Sequence, residues 1–185
     1  MTILFALAVA LAVANEPGQS ALTLSPGSFL PSIEGESLSG KRITLPEEDS
    51  GRISLLVFTF SRKAGYAARA WAEAFAKLEV SERDASSYRI LVLGGVPRIL
   101  RGLVIAGIKK GMPASLHDTT VKLFTDEDSW KARLGVRSPD EPHLLILDRE
   151  GKVRWLYAGT CDDASVRLLA EQLRSLAPQA AVTTK

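Results

Sequence analysis

Read only for apolar and polar positions, the chain alternates between short solid apolar runs and longer stretches of helical period. Residues 54–60 (Ser-Leu-Leu-Val-Phe-Thr-Phe) are β-branched and aromatic enough for one buried central strand. From 64 to 78 the period changes. Ala67, Trp71, Phe75 and Leu78 recur at i, i+4, i+8 and i+11, and the many alanines favour helix. Residues 88–93 form the next strand, stopped by Gly94-Gly95. Pro97 suits the first turn of a helix running to about Lys110, with Ile99, Leu100, Leu103, Val104 and Ile108 as a broad apolar face. Lys109 and Lys110 sit at its negative dipole end, and Gly111 stops it.

Residues 121–124 give a short strand, and Asp126-Glu127-Asp128 opens a helix to about Leu134. Leu144-Leu145-Ile146-Leu147 is a strand, Asp148-Arg149-Glu150-Gly151 a turn, and residues 152–158 its hairpin partner. A last helix starts at Asp162 or Asp163 and buries Val166, Leu169, Ala170, Leu173 and Leu176. Residues 40–46 suggest an edge strand closed by Pro46. The order is strand–helix–strand–helix, a short helical insert, then strand–strand–helix. A parallel pair joined by a right-handed crossover and an antiparallel hairpin make this an α/β protein, a central mixed β-sheet flanked by helices on both faces.

The N-terminus departs from this pattern. Residues 3–14 are an unbroken apolar run of 12 ending Ala12-Val13-Ala14, which matches the hydrophobic segment and small-x-small cleavage site of a secretory signal. The run is shorter than the about 20 residues needed to span a bilayer. No Lys or Arg precedes Lys41, so the positive leader residues are missing and an uncleaved anchor stays open. The expected organisation is a signal peptide over 1–14, a Ser/Pro/Gly-rich linker over 15–39, one domain over 40–176 and a tail over 177–185. Export to the periplasm or beyond the cell follows.

Charge removes one function class. Lys plus Arg number 23 against 21 Asp plus Glu, and the basic residues are scattered, so nothing marks a nucleic-acid surface. Cys161 stands alone, which forbids an internal disulfide and a cysteine-based zinc site. His117 and His143 are isolated, so neither a metal nor another cofactor is expected.

Pro142-His143-Leu144-Leu145-Ile146-Leu147-Asp148-Arg149-Glu150-Gly151-Lys152-Val153, with the segment from Asp126 to Val136 before it, resembles TlpA-like and peroxiredoxin-like proteins of the thioredoxin-like superfamily. The resemblance covers roughly residues 40–176. It implies a thioredoxin-like fold in which Pro142 is a cis-proline preceding a strand. It also implies a Cys-x-x-Cys site at the start of the helix after the first central strand. Here that segment reads Lys63-Ala64-Gly65-Tyr66-Ala67, with both cysteine positions on alanine. The motif works because a helix N-terminus stabilises a thiolate, and alanine offers nothing to stabilise. A weaker resemblance, carried by Trp71 with Phe75, by Pro113 and by Gly151-Lys152-Val153-Arg154-Trp155 before Gly159, is to the mitochondrial ATP synthase assembly factor family with a thioredoxin fold.

Two functions follow. The first is a non-catalytic, exported protein that binds a protein or peptide partner in an assembly or chaperone-like role. Its groove is formed by Ala64, Gly65, Tyr66, Ala67, Glu141, Pro142 and Gly159. The alternative is a divergent redox enzyme that uses Cys161 as its one reactive thiol, near Ala64 and Pro142. Ser61 and Tyr66 flank the emptied motif, and Arg62 and Lys63 beside the helix-start N–H groups read as a solvated basic loop or as an anion site.

Overall fold

A computed structural model describes residues 23–78, 81 and 83–177. The expected signal peptide, most of the tail and the first part of the expected linker lie outside these residues. Seven strands form one sheet in the order β2-β1-β5-β4-β3-β6-β7. They are β1 (Ile33–Ser37), β2 (Arg42–Leu45), β3 (Ile53–Thr59), β4 (Ala85–Val92), β5 (Thr120–Leu123), β6 (His143–Leu147) and β7 (Val153–Ala158). Four helices join them: α1 (Arg62–Lys77), α2 (Arg101–Lys110), α3 (Glu127–Leu134) and α4 (Asp163–Leu176). β3, the solid apolar run, is buried at every position and pairs parallel with β4 and antiparallel with β6. β2 is an edge strand ending before Pro46, as its sequence suggests.

The connections β3–α1–β4 and β4–α2–β5 step the same way across the sheet. Right-handed crossovers therefore set α1 and α2 on one face. α4 joins them there: Leu169 and Leu173 pack with Leu55, Val57, Ala68, Trp71, Leu144 and Ile146. On the other face Trp130 of α3 stacks on Phe58 at 5.2 Å, within a cluster that includes Leu56, Ile90, Val121 and Leu145. The alternation along β4 is what positions the site. Tyr88, Ile90 and Val92 face the α3 side, which leaves Arg89 and Leu91 pointing toward α1 and α2.

Two expectations about backbone are corrected. The linker expected over 15–39 contains β1, and Leu24, Leu30, Ile33 and Leu38 are buried. This segment is tied down by Leu24 N–H to the Arg133 carbonyl at 2.7 Å and Gly27 N–H to the Val153 carbonyl at 2.7 Å. Its Ser, Pro and Gly content masked an apolar residue every few positions, enough to cover the α3 face. The second correction concerns Pro142: among the described residues the cis peptide bond is Leu45–Pro46, and the Glu141–Pro142 bond is trans.

The turn at 148–151 is as the sequence reads. Asp148 Oδ1 accepts from the Glu150 and Lys152 N–H groups, and Oδ2 from Arg154 Nε at 2.6 Å. Burial works to raise the Asp148 carboxyl, but these bonds outweigh it and hold it below the usual carboxylate range. Gly151 is required there twice over: its φ is +79°, and a Cβ would stand 2.7 Å from Pro46 Cγ.

Candidate functional site

The start of α1 is where the sequence places chemistry, and it is closed. Ser61 is the N-cap: its Oγ accepts from the Ala64 N–H at 3.1 Å and donates to Asp140 Oδ1 at 2.9 Å. Lys63 Nζ meets the other Asp140 oxygen at 3.5 Å. The anion that the helix start attracts is therefore the protein's own Asp140. Ala64 has no exposure and Ala67 is half-buried. This first turn thus holds no thiol, and its Ser61 hydroxyl is committed to Asp140.

In the groove expected from Ala64, Gly65, Tyr66, Ala67, Glu141, Pro142 and Gly159, several backbone groups already have partners within the chain. Glu141 gives its carbonyl to His143 Nδ1 at 3.0 Å, and Pro142 gives its carbonyl to the Gly159 N–H at 3.2 Å. The Gly159 carbonyl takes the Trp71 indole N–H at 3.1 Å. Of the backbone groups expected to pair with an extended partner, the Pro142 carbonyl and Gly159 N–H meet one another, and the Glu141 and Gly159 carbonyls each hold a side-chain donor. Gly65 and Tyr66 instead turn to the opposite flank of α1 and line a cleft there.

That cleft, of about 650 Å³, lies between α1 and α2 above the carboxyl ends of β3 and β4, where open α/β sheets take ligands. α1 contributes Arg62, Gly65, Tyr66 and Arg69; α2 contributes Leu103, Val104, Gly107 and Ile108. Thr59, Phe60, Arg89 and Leu91 form the floor, with Met112 at one end and Gly95 and Val96 at the other. The far wall is rigid: Gly94 is packed so close to the β5–α3 turn that a Cβ would fall 1.8 Å from the Thr125 carbonyl oxygen. Glu127 Oε2 accepts from the Gly95 N–H at 3.2 Å, and Oε1 pairs with Lys131 at 2.7 Å.

α2 forms as the sequence predicts, yet it buries none of its residues. Its apolar face is directed at the cleft and at solvent: Ile99 in the turn before it is 91% exposed, and Leu103 74%. It is held by its ends. Arg69 Nη2 donates to the Gly111 carbonyl at 2.8 Å, and Arg101 Nε donates to the Val96 carbonyl at 3.2 Å while lying over the Phe124 ring. Tyr66, 56% exposed, stands at the mouth with Arg69 over its ring.

Sequence reasoning missed Arg89. It is 7% exposed, and its one side-chain partner among the described residues is the thioether of Met112 at 3.8 Å. Burial, then the Arg69 charge, pull its guanidinium below the ordinary arginine range. The signal was present: an arginine inside the apolar strand Tyr88-Arg89-Ile90-Leu91-Val92.

Cys161 is half-buried against the α1–α4 core, just before α4, whose N-cap Asp162 forms a capping box with Ser165. Burial and the carboxylates of Asp162, Asp163 and Glu73 push its thiol up, against Lys77. Glu73 lies about 13 Å along α1 from Ala64, at 1.5 Å per residue. Glu73 therefore acts on the thiol from the second half of α1, while two residues before Cys161 the Gly159 N–H meets the Pro142 carbonyl. His143 is buried, edge-on to Phe60 at 6.0 Å, and burial lowers its pKa. His117 Nε2 contacts the Met112 carbonyl at 3.3 Å. Among the described residues no cluster of His, Cys, Asp and Glu is arranged for a metal, and no helix is long and apolar enough to cross a membrane.

No family model and no curated protein matches the chain. Solved structures do. A putative thiol:disulfide interchange protein DsbE from Chlorobium tepidum is 15% identical at a TM-score of 0.59, over 83% of this chain and 99% of that one. The exposed lipoprotein thioredoxin Etrx1 from Streptococcus pneumoniae strain TIGR4 is 15% identical at 0.56, over 77% and 99%. BsSco, of the Sco family of cytochrome c oxidase assembly proteins, is 16% identical at 0.58, over 83% and 96%. None of these three bears on the resemblance to the ATP synthase assembly factor, and Trp71, fully buried with its indole bonded to Gly159, is accounted for by core packing. Strand order, helix placement and these likenesses together identify the chain as a thioredoxin-like fold.

Proposed function

We propose that this is an exported thioredoxin-fold protein that binds a protein or peptide partner through the α1–α2 cleft and performs no dithiol chemistry. The observation that carries the reading is the start of α1, where Ala64 has no exposure and the capping Ser61 hydroxyl is committed to the Asp140 carboxylate. The cleft beside it supports binding: Tyr66, Leu103 and Ile99 are large apolar groups left uncovered around a concave floor. The apolar run over 3–14 supports export, as does the likeness to a lipoprotein described as exposed. An assembly or chaperone-like role agrees with an adhesive cleft beside a helix start that holds no cysteine.

The test is thiol chemistry and binding on one preparation. In the folded protein Cys161 alkylates no faster than an ordinary free thiol at each pH, and insulin reduction and peroxide consumption match a Cys161→Ser control. Turnover that disappears in Cys161→Ser overturns the reading in favour of a one-cysteine redox enzyme. Photocrosslinking from position 66 in the exported fraction yields a partner that Leu103→Asp abolishes; crosslinking indifferent to that change removes the cleft from the proposal.

A further inference from the structure

Arg89 poses a physical problem that the partner-binding reading leaves open. A guanidinium presents five N–H donors and stays charged, and burying it without an anion is costly. In this chain it sits on the floor of a largely apolar cleft whose lining also carries Arg62 and Arg69, 7% exposed, facing Met112 sulfur, a weak acceptor, and the Arg69 cation. Among the described residues no carboxylate pairs with it, and the nearby Glu127 is spent on Lys131 and Gly95. Two cations converge where a fold would ordinarily place one and a counter-charge. The wall above them, Leu103, Val104 and Ile108 of α2, is aliphatic, and the volume of about 650 Å³ lies within the ~300–1,000 Å³ of small-ligand sites.

We infer that the α1–α2 cleft is a receptor for a carboxylate carried on an apolar body, with the carboxylate seated bidentately on Arg89, steadied by Arg69, and the apolar part lying along α2. The planar fork of Arg89 matches the two oxygens of a carboxylate, and displacement of water from the aliphatic walls adds to the interaction. A neutral ligand of the same shape leaves the buried charge unanswered. This inference rests on the cleft being the binding surface and specifies what it recognises. The same chemistry occurs in a free alkyl carboxylate and in the C-terminus of a peptide ending in a large apolar residue.

Calorimetric titration of the full chain with decanoate, decanol, and a hexapeptide ending in leucine, as free acid and as amide, tests it. At least one free carboxylate binds, ten-fold or more tighter than its neutral counterpart, and its affinity falls with added salt. Arg89→Met weakens the acid ten-fold or more without changing the weak binding of the neutral form, which also shows that the variant is folded. Decanoate alone points to a small-molecule ligand, and the free-acid peptide alone to a polypeptide terminus. Equal binding of acid and neutral forms, binding by neither acid, or an acid affinity unmoved by Arg89→Met overturns the inference. An inert Cys161 with a Tyr66 crosslink still in place would then leave the broader binding reading standing. Turnover at Cys161 would remove that reading, whatever the carboxylates do.

Discussion

α1 and α2 are consecutive crossover helices on one face of one sheet, and they meet it differently. α1 is an amphipathic helix whose Ala64, Ala68 and Trp71 vanish into the core, its small residues letting the backbone approach β3 closely. α2 is the more continuously apolar of the two, yet it buries nothing and stands off the sheet over Arg89. The difference teaches that apolar content does not decide burial. What decides it is the partner surface, and β4 offers α2 a charged floor that a packed leucine would strand without water or counter-ion.

The largest effect that sharpens this contrast is on the α1 side. Trp71→Ala removes a fully buried indole, its bond to Gly159 and its edge contact with Tyr157, and is expected to lower stability by about 3–5 kcal/mol in urea unfolding. Ser61→Ala, by loss of the α1 cap and the Asp140 contact, should cost about 1 kcal/mol by the same measure. Arg89→Met should move the other way, raising stability in urea unfolding by about 1 kcal/mol because a buried charge without a counter-ion is exchanged for apolar volume. A destabilised Arg89→Met would place α2 and its floor on the same structural footing as α1 and break the comparison. Leu103→Ala, at the exposed α2 face, should alter stability by less than about 0.5 kcal/mol.

His143 adds a pH term. Its folded-state pKa lies below the 6.5 of a free histidine, because burial disfavours the charged ring. The unfolded chain therefore binds the extra proton first, and stability falls as pH drops below about 6.5. One such group limits the slope to about 1.4 kcal/mol per pH unit. Above that pH the residue contributes no dependence. Urea midpoints at pH 7.5 and 5.5 should differ less in His143→Asn than in the wild type; equal differences would assign the pH sensitivity to other groups.

Most of the fold was legible because its elements carry strong local patterns. β3 is solidly apolar, α1 and α4 keep a helical period, and the β6–β7 turn has Asp148 and Gly151 where its hydrogen bonds and φ require them. β1 was not legible: Ile33-Glu34-Gly35-Glu36-Ser37 is strand only because it fits between β2 and β5, with Gly35 so near Val121 and Lys122 that a Cβ would stand 2.5 Å from the Val121 side chain. The absence of any cysteine before Cys161 was readable outright, since it needs no coordinates. The groove around Pro142 was not, because whether its carbonyl is open or spent on Gly159 is a tertiary matter. The cleft escaped for a related reason: a sequence shows that α2 has an apolar face but not that the face lacks a cover.

The carboxylate of Asp140 at the start of α1 also bears on what a cysteine there would do. Cysteine at positions 64 and 67 would supply the letters of a redox motif without its reactivity. The first thiol would be shut in a site with no exposure, and across the Ser61 hydroxyl it would face a negative charge that disfavours the thiolate.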